Sequence, residues 1–429
     1  MQTSKKINLS TAILININVI LGAGIFINPQ ILTKTVGEFG FIFYIIAALI
    51  LLPIVLTIAS LAQKNQEAGG LYVYSKKYLN PTIGFISTWG YFLGKTSSAA
   101  LLVNIFVSFF QINIIYLQKI PTIYLDLFVI FFLIFLNIIG VKIGGKIQYL
   151  FVFFKLIPYL FVAIVGFYFF KTDFFSHMEF AKYPDFLSII PISIFVFLGF
   201  EIVCSVGHLI EAPEKNLKRA IIISFSIVAI SVSLFQLAIF GALGPILKEY
   251  LQPVASLAST YFPNILILPF LLNIFVFGSI LSGSFGSLTA NCWNLYAMAK
   301  DNHIPANKFL TKINKNNAPW VSLLIEGLIA GILLFITKNQ SSLQSMTVLG
   351  ISSAYFCSSL AAFASLKFFK KNFYSYILPI LSIISSFYII WLCLKNLFTS
   401  GISFSFLSIF FFGILLKLWQ LIKNKQKNI

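Results

Sequence analysis

The first apolar run of this chain, residues 9–35, carries two glycines near its middle, in Ile20-Leu21-Gly22-Ala23-Gly24-Ile25-Phe26. A run of that length can cross a bilayer, which takes about 20 apolar residues. Two glycines two residues apart weaken a helix there, and hydrocarbon offers a broken backbone no water to bond. Such a break survives only where protein or a water-filled cavity covers it. Its freed amides and carbonyls then suit a small ion or zwitterion. A second candidate break is Phe195-Val196-Phe197-Leu198-Gly199-Phe200-Glu201, with a carboxylate beside it. Paired interruptions of this kind point to a transporter.

The rest of the chain supports a bilayer setting. With 59% hydrophobic and only 10% charged residues and a mean hydropathy of +0.94, it reads as an all-α polytopic membrane protein. Apolar segments fall near 9–35, 38–62, 83–117, 121–141, 147–170, 184–209, 218–246, 263–299, 318–337, 341–369, 373–395 and 399–422. They make about 12 transmembrane helices in a single transporter domain over 1–429. The opening stretch to Ser10 is short and polar, and the first segment reads as a retained span rather than a cleavable leader. Residues 63–81, with Gly69-Gly70, form an amphipathic connector; 301–318 is a loop rich in Lys and Asn; 248–263 is a short helix outside the spans. Segments one and six each open a five-span block with a glycine-interrupted core. That pattern suggests two inverted repeats, 1–170 and 184–369, with 373–423 supplying two further helices.

The net charge of +18 does not signal nucleic acid. Placing both termini on one face gathers 21 of the 30 Lys and Arg there, so that face should be cytoplasmic. The basic excess then serves topology and attraction to anionic membrane lipid. Lys greatly outnumbers Arg, and Asn, Ile and Phe are abundant, a bias that suggests an AT-rich prokaryote and hence a bacterial inner (plasma) membrane. Cys204, Cys292, Cys357 and Cys393 lie far apart in apolar segments and read as packing residues, with no metal spacing and no disulfide framework. His177, His208 and His303 fall near the membrane surfaces and form no site. No Walker loop, H-E-x-x-H or nucleophile–base pair is present, so neither an enzyme nor a cofactor is expected.

Five motifs in order resemble the amino acid–polyamine–organocation permeases across essentially the whole chain. These are the Gly22–Phe26 run; Glu67 to Tyr74 followed by Asn80-Pro81 and Gly84-Phe85; Phe195–Glu201 with Glu211 to Asn216; Ala297 to Pro305; and Ala318-Pro319. The resemblance implies a leucine-transporter-type fold, a 5+5 inverted repeat plus two extra helices. It also implies secondary-active amino acid transport by alternating access, in a monomer or homodimer. Carboxylate binding would fall to the backbone amides of Ala23 and Gly24, set between Gly22 and Ile25. Many relatives have Ser at Ala23, so a hydroxyl contact is missing here. Ammonium binding would fall to carbonyls at Ile20, Phe195 and Leu198, with Gly199 permitting the second break. Phe195 takes the place of an aromatic gate, with Phe200 a weaker candidate. Lys155 would lie where sodium-driven cousins hold an ion.

Several of these residues also carry chemistry of their own. Glu201 inside a span costs roughly 2.5–3.5 kcal/mol and needs a partner or a role. Lys155 loses its proton more readily when buried, so proton-coupled symport is the first expectation. Lys95, a second intramembrane cation, can pair with Glu201 or lean toward the pocket. The resemblance implies that Glu326 is peripheral and structural, while Ser282, Ser284, Ser287 and Thr289 read as a polar face for tight helix contact. Obligate exchange of amino acids or amines is the main alternative, with a non-transporting sensor or a channel behind it.

Overall fold

The computed structural model describes residues 6–427 apart from 23, 68, 140, 177, 178, 180–182, 206, 317, 338, 369–372 and 402; for 141–153, 368, 373, 374, 403, 405 and 424–427 it describes the backbone alone. Helices α1 (Leu9–Ile20) and α2 (Gly24–Val36) are the halves of the first pass, and α3 (Gly40–Lys64) returns. The connector holds α4 (Leu71–Tyr78). Then come α5 (Pro81–Asn113), the one-turn α6 (Ile115–Gln118), α7 (Thr122–Ile139) and α8 (Val141–Tyr168). The sixth pass is again split, into α9 (Ile189–Phe195) and α10 (Ile202–Ser205). There follow α11 (Pro213–Leu243), α12 (Pro253–Tyr261), α13 (Ile267–Lys300), α14 (Asn307–Leu310), α15 (Trp320–Ile336), α16 (Gln340–Ser365), α17 (Ile377–Thr399) and α18 (Ser403–Lys427). Among the described residues the only β-pairing is one bridge, Ile7 to Ile210.

By length and composition eight stretches can cross a membrane, and shorter apolar helices at Leu9–Ile20, Phe154–Tyr168, Phe186–Phe195 and Trp320–Ile336 complete the set. One of the eight, Gly24–Lys64, runs 41 residues. As a single rod it would measure about 60 Å, twice the hydrocarbon thickness. The 3₁₀ turn at Gly37–Phe39 folds it back, so it serves as half of the first pass and all of the second.

Helix starts follow local chemistry. Asn8 accepts from Thr11 N, and Asn80 accepts from Ile83 N with Pro81 at the first helical position, where its missing amide costs nothing. Helix α5 lies at the centre, packed against α13 and α16, while α11 packs on α1 and α3. At the periphery α7, α17 and α18 turn Phe128, Phe387 and Phe411 outward, as lipid-facing surfaces do. Counting passes puts both termini, α4 and the 301–318 loop on one face (the termini face) and α12 on the other. Residues 248–263 hold the expected short helix, α12, and the 63–81 connector holds a short helix that was not anticipated, α4.

Candidate functional site

Both expected interruptions are present. Helix α1 ends at Ile20, Leu21 turns out with ψ 74°, and helix resumes at Gly24. Helix α9 ends at Phe195, and the chain runs in turns until Ile202. Within that stretch Gly199 sits at φ +118°, a conformation L side chains rarely adopt. The two breaks face each other. A Cβ on Gly24 would lie 3.0 Å from Val196 Cγ2 and 3.1 Å from Phe195 Cδ1; one on Gly199 would lie 2.9 Å from Val19 Cγ1. Ile20, Gly22, Gly24, Ile25, Phe195, Leu198 and Gly199 are thus gathered into one region, with Phe195 against Gly24. Ala23 lies outside the described residues.

The first amides of α2 have no carbonyl of their own helix to bond, and they stand at its positive dipole end. The carbonyls are less free than expected. Ile20 O accepts from Gly22 N at 2.6 Å, and Phe195 O from Leu198 N at 3.3 Å. Each keeps one lone pair. Phe200 is fully buried with its ring near Phe225 and Tyr355, and its carbonyl accepts from Asn16 Nδ2 of α1 at 3.1 Å.

Glu201 is buried and surrounded by donors. Its Oε2 accepts from Gly199 N at 3.0 Å and from Tyr355 Oη at 2.7 Å. Its Oε1 accepts from Tyr91 Oη at 2.9 Å and lies 3.7 Å from Lys95 Nζ. The bond to Gly199 fastens the carboxylate to the unwound segment two residues away. Of the two alternatives for Lys95, pairing with Glu201 is the observed one. Lys155 reaches from α8 to the first break, donating to Asn18 O at 2.9 Å and approaching Asn18 Oδ1 at 3.3 Å. Asn18 lies in the last turn of α1, where carbonyls lack helical partners and the dipole is negative.

A cavity of about 40 Å³ lies between Glu201 and the termini face, lined by Tyr72, Ser87, Thr88, Tyr91, Ser205 and Asn294 among others. Near it Tyr72 Oη donates to Asp301, Lys76 pairs with Asp301 at 2.9 Å, and His303 Nε2 lies 3.1 Å from Tyr72 Oη. Lys417 of α18 contacts His303 Nδ1. Burial raises the Asp301 carboxyl, but bonds from Tyr72 and Lys76 and the nearby positive charges outweigh it and hold it below its usual range. His303 is pushed down to about 4, first by burial and then by the Lys417 charge. The expectation that His303 belongs to no site is therefore corrected: it is the buried centre of this cluster. His177 lies outside the described residues. Toward the opposite face, Asn28 Nδ2 donates to Ile192 O at 2.9 Å and Gln344 Nε2 to Asn28 Oδ1 at 3.1 Å, tying α2, α9 and α16 together.

Sequence reasoning missed Tyr91, Tyr355, Asn18, Asn28 and Gln344. Tyr91 alone carried a local signal, since it stands four residues before Lys95 and so shares its helix face. The four cysteines are buried, in keeping with packing roles. Ser284 Oγ bonds Ala99 O of α5 at 3.1 Å, the close helix contact expected of that face.

A multi-pass helical protein with two facing, unwound spans and charged side chains at both belongs to the class of secondary transporters. The family model of amino acid permeases matches residues 7–418, and the chain belongs to that family. It is 24% identical over 400 residues to the serine/threonine exchanger SteT of Bacillus subtilis (strain 168), covering 90% of each chain. It is 27% identical over 444 residues to an arginine/agmatine antiporter of Chlamydia felis (strain Fe/C-56), covering 96% of this chain and 89% of that one. It is 25% identical over 374 residues to an arginine/ornithine antiporter of Latilactobacillus sakei, covering 82% and 77%. The chain is a multi-pass integral membrane protein that transports amino acids, and it is not an enzyme.

Proposed function

We propose that amino acids bind where the first and sixth passes are unwound, and that alternating access of this site moves them across the membrane. In this reading the amides of Ala23 and Gly24 receive the carboxylate. Carbonyls at Ile20, Phe195 and Leu198 receive the ammonium, and Phe195 covers the site. The observation that carries the reading is the direct apposition of the breaks, Gly24 on Phe195 and Val196, Gly199 on Val19. A thermal-shift screen of the purified protein against the common amino acids tests it, because a ligand preferring the folded state raises apparent stability. The wild type should be stabilised by at least one amino acid and Gly24→Val by less at the same concentration; equal stabilisation of both would remove the assignment.

Uptake is proposed to be proton-driven. A neutral Lys155 no longer holds Asn18 O as an ammonium does, so its protonation bears on the end of α1. The two five-span blocks are read as inverted repeats, and the basic termini face as cytoplasmic in a bacterial inner membrane. A second reading, obligate exchange, is favoured by the names of the relatives, an exchanger and two antiporters. Uptake into empty vesicles under an imposed pH gradient selects the first; uptake that needs internal amino acid and ignores the gradient selects the second.

A further inference from the structure

Glu326 lies near the middle of α15, is 0% exposed, and plays no part in the site described above. Its Oε1 accepts from Asn291 Nδ2 of α13 at 2.8 Å, while its Oε2 is buried and has no donor among the described residues. The same Asn291 amide reaches Phe92 O at 3.0 Å and Thr96 Oγ1 at 3.2 Å, both on α5. Asn294 Nδ2 donates to Asn291 Oδ1 at 3.0 Å, and Asn294 lines the cavity beside Glu201. A side-chain chain therefore runs from the cavity through two amides to a sealed carboxyl.

Ionisable groups on the packed elements do not offset a negative charge at Glu326. Cys292 on α13 is a buried thiol bonded to Thr289 O. Asp126 on α7 is itself acidic and bonded to Asn104. Tyr91 and Lys95 on α5 are engaged with Glu201, and Lys308 on α14 is exposed. Among the described residues no cation pairs with Glu326. A carboxylate sealed from water with one neutral donor bears a large desolvation penalty, and the group neutralises instead.

We propose that Glu326 is a proton-binding site, carrying its proton on a carboxyl that exchanges with the cavity only when Asn291 swings aside. The physical reason lies in the amide. It donates and accepts hydrogen bonds but does not pass a proton on, so Asn291 and Asn294 connect Glu326 to the cavity without forming a proton wire. Exchange then requires α13 to shift against α5 and α15, which ties it to the conformational cycle and prevents a proton leak at rest. The step balances without an oxidant or co-reactant: the carboxyl O–H bond breaks as an O–H bond forms on a cavity water, leaving a carboxylate, and the reverse transfer restores the acid. The proposal rests on the transport reading for its role in the cycle, and on the network alone for its protonation state.

Infrared difference spectroscopy of purified, reconstituted protein decides it. The wild type should show a protonated-carboxyl C=O band that Glu326→Gln lacks, with both proteins melting cooperatively; no lost band means an ionised Glu326 and overturns the proposal. On transfer to D2O without substrate, the band should shift slowly in the wild type and promptly in Asn291→Ala. Equal rates in the two would overturn the gating. An equimolar mixture of the common amino acids should also speed the wild-type shift. If that mixture neither stabilises the protein nor speeds the shift, the amino acid site reading fails, while the band and the Asn291→Ala comparison still decide the proton site.

Discussion

The two broken passes are held in opposite ways. At the first, a cation does the work: Lys155 donates to Asn18 O at the negative end of α1. At the second it is an anion, Glu201, whose Oε2 takes the Gly199 amide. Each break receives the charge that its exposed backbone groups can bond. The gaps differ in length as well, three residues between α1 and α2 but six between α9 and α10. The longer one is braced from three neighbours, Tyr91, Tyr355 and Asn16. The first break thus rests on one ammonium, whereas the second is part of a network.

Removing Glu201 should therefore have the largest effect. Glu201→Ala strands Lys95, whose side chain is only 12% exposed, and leaves the Gly199 amide without its acceptor. Breaking a buried pair from one side costs about 3–5 kcal/mol. Chemical unfolding in detergent should read that loss, and a cost equal to that of the Lys155 variant would erase the contrast. Lys155→Met keeps most of the stem and strands no opposite charge. Its expected cost is about 1.5–3 kcal/mol, that of a hydrogen bond to a charged group. The same variant should lose the response of uptake to an imposed pH gradient; an unchanged response would detach Lys155 from coupling.

Gly24→Val probes the contact between the breaks rather than either charge. Its new atoms would meet Val196 and Phe195 at distances that force side chains to move. Overpacking of this kind costs about 1–3 kcal/mol, roughly 5- to 150-fold in affinity if borne by the bound state. Isothermal titration with the stabilising amino acid measures it, and undiminished affinity would separate the binding site from the glycine.

How much of this was legible in the sequence follows from the range of each interaction. The breaks were readable because glycine acts through its own backbone, and the capping residues Asn8 and Asn80 through their immediate neighbours. The passes were readable because bilayer thickness imposes a length on every apolar run. Of the partners of Glu201, Lys95 could be anticipated as a second intramembrane charge, but Tyr91 and Tyr355, uncharged and 110 and 154 residues away in the chain, could not. His303 was misjudged for a related reason. Its position at a helix end suggests solvent, yet Lys417 of α18, 114 residues on, covers it. For Glu326 the sequence suggested only a peripheral, structural residue, because its complete burial depends on how α5, α7 and α13 pack around it.

The smallest expected effect concerns the termini face, where neither charge pattern of the breaks applies. His303 is held neutral there by burial and by Lys417, against the pull of Asp301. A freed imidazole titrates near 6.5. Between about pH 6.5 and pH 4 an opened cluster binds a proton that the closed one refuses, so closure weakens as pH falls through that window and is intact above it. Asp301 acts in the same direction lower down, because a carboxyl held below its usual range withdraws its contribution once acid protonates it. Ser87 lines the cavity behind this cluster and is fully buried, so the labelling rate of Ser87→Cys by a membrane-impermeant thiol reagent reports opening. Normalised to a fully exposed cysteine, which removes the pH dependence of the thiolate itself, the rate should rise by up to about 20-fold from pH 7 to pH 5, just under about 2 kcal/mol. Adding His303→Gln, which has no charge to gain, should flatten that dependence. An undiminished pH response in the double variant would assign the opening to another group and separate this face from His303.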